Sequence, residues 1–133
     1  MKKLSLLLLA SLFMLTAALT GCGRTSSAWS GYCSGAEQQQ TSDTVSLSCD
    51  EFDGGVTYTI HVTEDDRLII DSEFVVAEGS LDVTIEDSDN NVLFYGVISS
   101  DWYFNTILPE YGTYYIIIEA DEFKGSYIFS WAQ

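Results

Sequence analysis

The chain of 133 residues carries 20 Asp and Glu against five Lys and Arg, a formal net charge of −15, and 47% of its residues are apolar. That apolar share excludes a disordered chain and suits one packed domain, while so acidic a chain repels phosphate backbones and excludes nucleic acid as a partner. A single His and three Cys leave little material for histidine catalysis or a multi-ligand zinc site.

Lys2 and Lys3 precede an apolar stretch from Leu4 to Leu19, followed by the small residues Thr20 and Gly21. A basic start, an apolar run and a small-residue end predict a secretory signal peptide over residues 1–21. The run is shorter than the roughly 20 residues that cross a bilayer core. Leu19-Thr20-Gly21-Cys22 then resembles the lipobox of bacterial lipoproteins. The resemblance implies cleavage before Cys22 and a diacylglyceryl group on its thiol. The domain would hang from a membrane of the bacterial cell envelope, on the extracytoplasmic side. Without residues 1–21, three Lys and Arg face 20 Asp and Glu, a net charge of −17.

Residues 22–44 read as the lipidated Cys and a polar tether, because Gln38 to Ser42 show neither helical nor strand periodicity. Cys33 and Cys49, an even pair in an exported protein, suggest a disulfide that would add about 3 kcal/mol for a loop of this size. Two buried thiols are the alternative.

From Val45 the period becomes two. Val45, Leu47 and Cys49 alternate with Ser46 and Ser48. Val56, Tyr58, Ile60 and Val62 alternate with Thr57, Thr59 and His61. Leu81, Val83 and Ile85 alternate with Asp82 and Thr84. Such patterns predict half-buried strands. Further strands are expected near 68–76, 92–98, 102–108, 113–120 and 126–131. Expected turns lie at Asp53-Gly54-Gly55, Glu64-Asp65-Asp66, Glu78-Gly79, Asp87 to Asn91, Pro109 to Gly112 and Lys124-Gly125. No segment predicts an amphipathic helix. Residues 45–133 are therefore expected to form an all-β domain, an antiparallel, jelly-roll-like β-sandwich of seven to eight short strands. In its last long strand, Tyr114, Ile116 and Ile118 are expected to face the core and Tyr115 and Ile117 to face away. Gly112 is expected to take a positive φ.

Gly79-Ser80-Leu81-Asp82-Val83-Thr84-Ile85, an acidic turn and Asn91-Val92-Leu93-Phe94 are followed by Leu108-Pro109-Glu110-Tyr111-Gly112-Thr113-Tyr114-Tyr115-Ile116 and Lys124-Gly125-Ser126-Tyr127. This order is similar to the bacterial pre-peptidase C-terminal domain and to small lipoproteins built on one such sandwich. It departs from that family in carrying no attached peptidase, and Asn90-Asn91 stands where a turn Gly is common. The resemblance implies a jelly-roll-like, non-catalytic module linked to secretion, ligand binding or substrate targeting.

Two candidate sites follow from the residues. Asp87, Asp89 and Asn91 start like a Ca²⁺ loop, with oxygen ligands at alternate positions, and Glu64, Asp65 or Asp66 would assist if nearby. Val92 and Ile98 stand where an EF-hand needs Gly and Glu, so only a simpler turn-type site fits; a solvated Asx-rich turn is the alternative. Exposed Trp and Tyr beside Asp and Asn suit stacking on sugar rings, which selects Trp102, Tyr103, Asn105 and Tyr111 as candidate ligand-binding residues. The alternative is that the aromatics fill the core. There is no G-x-S-x-G, no H-E-x-x-H and no Gly-rich phosphate loop, and His61 lies on an outward strand position. The expectation is a non-enzymatic binding or interaction module of the envelope, its partner a protein or a glycan, with a carbohydrate- or Ca²⁺-binding surface lipoprotein as the alternative.

Overall fold

A computed structural model describes residues 25–63, 68–109 and 111–132. These form seven antiparallel strands: β1 (Thr25–Ser34), β2 (Glu37–Gln40), β3 (Thr44–Val62), β4 (Leu68–Asp87), β5 (Val92–Ile98), β6 (Trp102–Leu108) and β7 (Gly112–Ala132). Their order is β1-β3-β7-β4-β5, with β2 also pairing β3 and β6 also pairing β4. The expected all-β sandwich is present, built by an unexpected device. Each of β3, β4 and β7 runs through both layers.

The first leaf consists of β2, residues 44–49 of β3, 125–132 of β7, 68–76 of β4, and β6. The second consists of β1, 54–62 of β3, 112–120 of β7, 81–87 of β4, and β5. The leaves join where the ladder slips, between Cys49 and Gly54 in β3 and between Val76 and Ser80 in β4. The expected turns at Asp53-Gly54-Gly55, Glu78-Gly79 and Lys124-Gly125 are thus bends inside continuous strands. A bulge with one residue in a left-handed conformation bends and twists a strand without reversing it. Gly79 (φ +74°) and Glu122 (φ +47°) supply that conformation here.

Alternation puts Val45, Leu47 and Cys49, Leu68, Ile70 and Phe74, and Tyr127, Phe129 and Trp131 on the inner face of the first leaf. Val56, Tyr58 and Ile60, Leu81, Val83 and Ile85, and Tyr114, Ile116 and Ile118 form the inner face of the second. All are buried in one cluster, as their sequence period requires. Aromatics close the gap between the leaves. Phe94 of β5 stacks on Phe104 of β6 with centroids 4.0 Å apart. Ser72 and Thr106 place two hydroxyls in this core with no hydrogen-bond partner, a cost of about 1–3 kcal/mol each.

Residues 25–44 correct the tether reading. β1 pairs with β3 from Thr25↔Ile60 to Ser34↔Glu51, and β2 pairs with β3 from Glu37↔Ser48 to Gln40↔Val45. Both are edge strands, and all four residues of β2 are exposed. A polar strand at an edge shows no alternation because neither side needs to be apolar. The expected turn at Glu64-Asp65-Asp66 lies outside the described residues.

The Tyr58 and Tyr127 hydroxyls join the leaves through a buried 2.6 Å hydrogen bond. Burial pushes the Tyr58 phenol up to about 12 and raises Tyr127 well above the usual range, its ionisation opposed also by Tyr58. Because the folded value exceeds the unfolded one near 10, this stabilisation is complete below pH ~10 and is lost as pH rises toward ~12. The Tyr58 shift alone corresponds to about 3 kcal/mol. Urea midpoints are therefore expected to fall steeply between pH 10 and 12; a flat profile there would show that the two phenols are not buried in the folded protein.

Candidate functional site

The outer face of the first leaf carries the strongest candidate. Strand pairing sets Gln39, Ser46, Ile128, Glu73 and Tyr103 side by side in one row across all five strands. Glu37, Ser48, Ser126 and Val75 form the neighbouring row, and Thr44, Ser130, Asp71 and Asn105 form the row on the other side. At about 4.8 Å between strands, the face is roughly 19 Å wide.

Side-chain size shapes this face. Ser46, Ser48 and Ser126 are short and sit on the two central strands. Glu37 and Gln39 rise from β2 on one side, and Glu73 and Val75 rise from β4 on the other. The result is an open trough of about 590 Å³, lined by these residues with Leu47, Tyr127 and Ile128. Val75 and Ile128 are exposed on it, so the trough offers apolar patches as well as carboxylates, amides and hydroxyls.

Tyr103 stands at its β6 margin. Its hydroxyl donates to Asp71 Oδ1 at 3.2 Å, which fixes the ring over the face. The Asp71 charge raises the Tyr103 phenol above its usual range, with help from the hydrogen bond. The hydroxyl therefore stays a neutral donor at physiological pH. Among the described residues Lys124 is the only Lys or Arg, and it pairs with Glu78 at the bend rather than at the trough.

The four expected ligand-binding residues divide. Tyr103 and Asn105 share this outer face. Trp102 points the other way, in register with Phe74, its ring 5.3 Å from Phe104 and 6.0 Å from Phe94. It is half exposed, as an edge residue capping the core. Tyr111 is exposed in the segment after β6, so the length of that strand separates it from Trp102. Trp131 is buried, its Nε1 donating to the Ser42 carbonyl. Glu37, Gln39, Ser46, Ser48, Glu73, Val75, Ser126 and Ile128 went unselected in the sequence. Their only signal is serine beside exposed Val and Ile at outward positions, on strands whose adjacency is non-local.

The loop after β4 is a self-contained turn. Asp87 Oδ1 accepts from the backbone amides of Asp89 and Asn91, both at 2.9 Å, and Oδ2 accepts from Asn91 Nδ2 at 3.0 Å. The Asn91 side chain, then the backbone amides, hold the Asp87 carboxyl below its usual range. Asn90 takes the left-handed position (φ 64°), which Asn tolerates in place of Gly. With N–H donors aimed at its carboxylate, the loop of Asp87, Asp89 and Asn91 forms an Asx turn. No cluster of three His, Cys, Asp or Glu suited to a metal occurs among the described residues; Glu64, Asp65 and Asp66 lie outside them.

Cys33 on β1 and Cys49 on β3 are free thiols in this structure, and the buried Cys49 thiol donates to the Phe123 carbonyl at 4.0 Å. Burial raises both, Cys49 to about 11, where the neighbouring Cys33 adds to the effect. Both thus stay protonated at neutral pH, unlike an activated nucleophile. Cys22, the expected lipidation site, lies outside the described residues.

No family model matches the sequence, and no curated protein does, so the resemblance to the pre-peptidase C-terminal domain gains no support there. Several solved structures are similar in fold. One is TmCBM61 in complex with β-1,4-galactotriose, at a TM-score of 0.45 and 11% identity, covering 86% of this chain and 92% of that one. Another is the N-terminal cellulose-binding domain of β-1,4-glucanase C from Cellulomonas fimi (TM-score 0.43, 6% identity, 85% and 90% covered). A third is the enzymatically active domain of tailspike protein 4 from bacteriophage CBA120 (TM-score 0.44, 10% identity), where 86% of this chain spans only 19% of the other.

Proposed function

We propose that this protein is a lipid-anchored, extracytoplasmic, non-catalytic module that binds neutral carbohydrate along the outer face of its first leaf. One observation carries the reading: the open trough combines carboxylates and amides with exposed apolar side chains, and Tyr103, hydrogen-bonded to Asp71, stands beside its Glu73 wall. Sugar hydroxyls donate to Glu37 and Glu73 and exchange hydrogen bonds with Ser46, Ser48 and Gln39. The C–H faces of pyranose rings pack on Val75, Ile128 and Tyr103. Uronate or sulfated glycans are repelled by the same carboxylates, which no described cation offsets.

Glycan-array screening followed by calorimetry tests this. A neutral oligosaccharide is expected to bind, and Tyr103→Ala is expected to weaken it by at least about tenfold, equivalent to roughly 1.4 kcal/mol. Tyr32→Ala, at an exposed site on β1, is expected to leave affinity unchanged. Equal affinity for wild type and Tyr103→Ala would remove Tyr103 from the binding site, and equal affinity for Glu73→Ala as well would remove the trough.

The anchor rests on Leu19-Thr20-Gly21-Cys22. Cells fed a labelled lipid precursor are expected to incorporate it into the wild-type chain and not into Cys22→Ala. Label retained in the variant would refute lipidation at this thiol.

A further inference from the structure

The position of β1 fixes how such an anchored domain stands. Only Gly23 and Arg24 separate Cys22 from the start of β1, so a lipidated Cys22 would be tied to Thr25 by at most roughly 11 Å of extended backbone. Thr25, Ile60, Tyr114 and Asp87 stand in one row of the second leaf. The next rows are His61↔Thr113 and Val62↔Gly112. β1 enters this row from the side where the second leaf ends, which is also where the Asp87–Asn91 turn and Tyr111 lie.

We propose that this open end rests on a zwitterionic lipid surface, with Tyr111, Val92 and Leu93 in the headgroup layer. The orientation rests on the lipidation of Cys22. The three side chains are exposed, and a Tyr with apolar neighbours suits the membrane interface. Asp87 and Asp89 at this end repel anionic headgroups, which selects a zwitterionic surface. The opposite end, at the bends, presents exposed Glu51, Asp53, Glu78, Asp121 and Glu122 and stands about 30 Å away, the span of nine strand residues. The strands then rise from the bilayer, and the trough opens sideways into the surrounding envelope.

The test uses the full lipidated chain in phosphatidylcholine nanodiscs doped with headgroup spin-labelled lipid, read by amide NMR. Signals of Val92, Leu93, Tyr111 and His61 are expected to be lost, while those of Tyr32, Gly79 and Glu122 persist. Loss centred on Gly79 and Glu122, or spread evenly over the surface, overturns the orientation. A chain with no lipid mass on Cys22 overturns the anchor together with the orientation, whereas a lipidated chain with the wrong pattern overturns the orientation alone.

Discussion

Replacing Phe74 by Ala is expected to cost about 3–5 kcal/mol, a large part of the roughly 5–15 kcal/mol that holds a domain of this kind folded. Phe74 is 1% exposed. Its ring stacks on Phe104 at 5.7 Å, meets Phe129 edge-on at 5.5 Å and touches Tyr127 at 6.5 Å. Deleting it leaves a cavity bounded by three rings that β-strand backbone holds in place, so the site cannot collapse. Through Phe104 the loss reaches Phe94, and thus the contact between β5 and β6. Urea unfolding is expected to show a lower midpoint at an unchanged slope. A loss under about 1 kcal/mol would mean that the aromatic core is not the main support of the sandwich.

The second large effect is at the bend. Gly125 has φ +150°, and an added Cβ would lie 2.0 Å from the Val75 carbonyl oxygen. Backbone in so sparsely populated a region costs about 1–3 kcal/mol for a side-chain residue, and here the obstacle is rigid main chain. Gly125→Ala is expected to destabilise by on the order of 3 kcal/mol. Gly55→Ala is the control. Its Cβ would come no closer than 3.3 Å, to the Ser30 hydroxyl, so its expected cost is within about 1 kcal/mol. Equal costs at the two sites would contradict a bend that depends on Gly125.

These two positions mark what the sequence reveals. The core was legible because period two survives through both leaves. Every inward residue named in 45–49, 56–62, 81–85 and 114–118 is buried. Gly with acidic neighbours signals a reversal locally, and only pairing partners distinguish the bends from hairpin turns. β1 and β2 leave no such signal, because an edge strand of Ser and Gln has no apolar face to announce it. The candidate site was half legible. Tyr103 and Asn105 share a face by alternation, which equally turns Trp102 away from them. The trough itself is assembled from β2, β3, β7 and β4, whose adjacency depends on contacts distant in sequence.

The most direct test of the carbohydrate reading is an amide NMR titration with a neutral oligosaccharide taken from the array. Binding at the trough predicts saturable shifts at Ser46, Ser48, Glu73, Val75, Tyr103 and Ile128, with Thr57, Thr84, Tyr95 and Ile117 on the outer face of the second leaf unmoved. Shifts confined to that second face, or none with any saccharide, would contradict it.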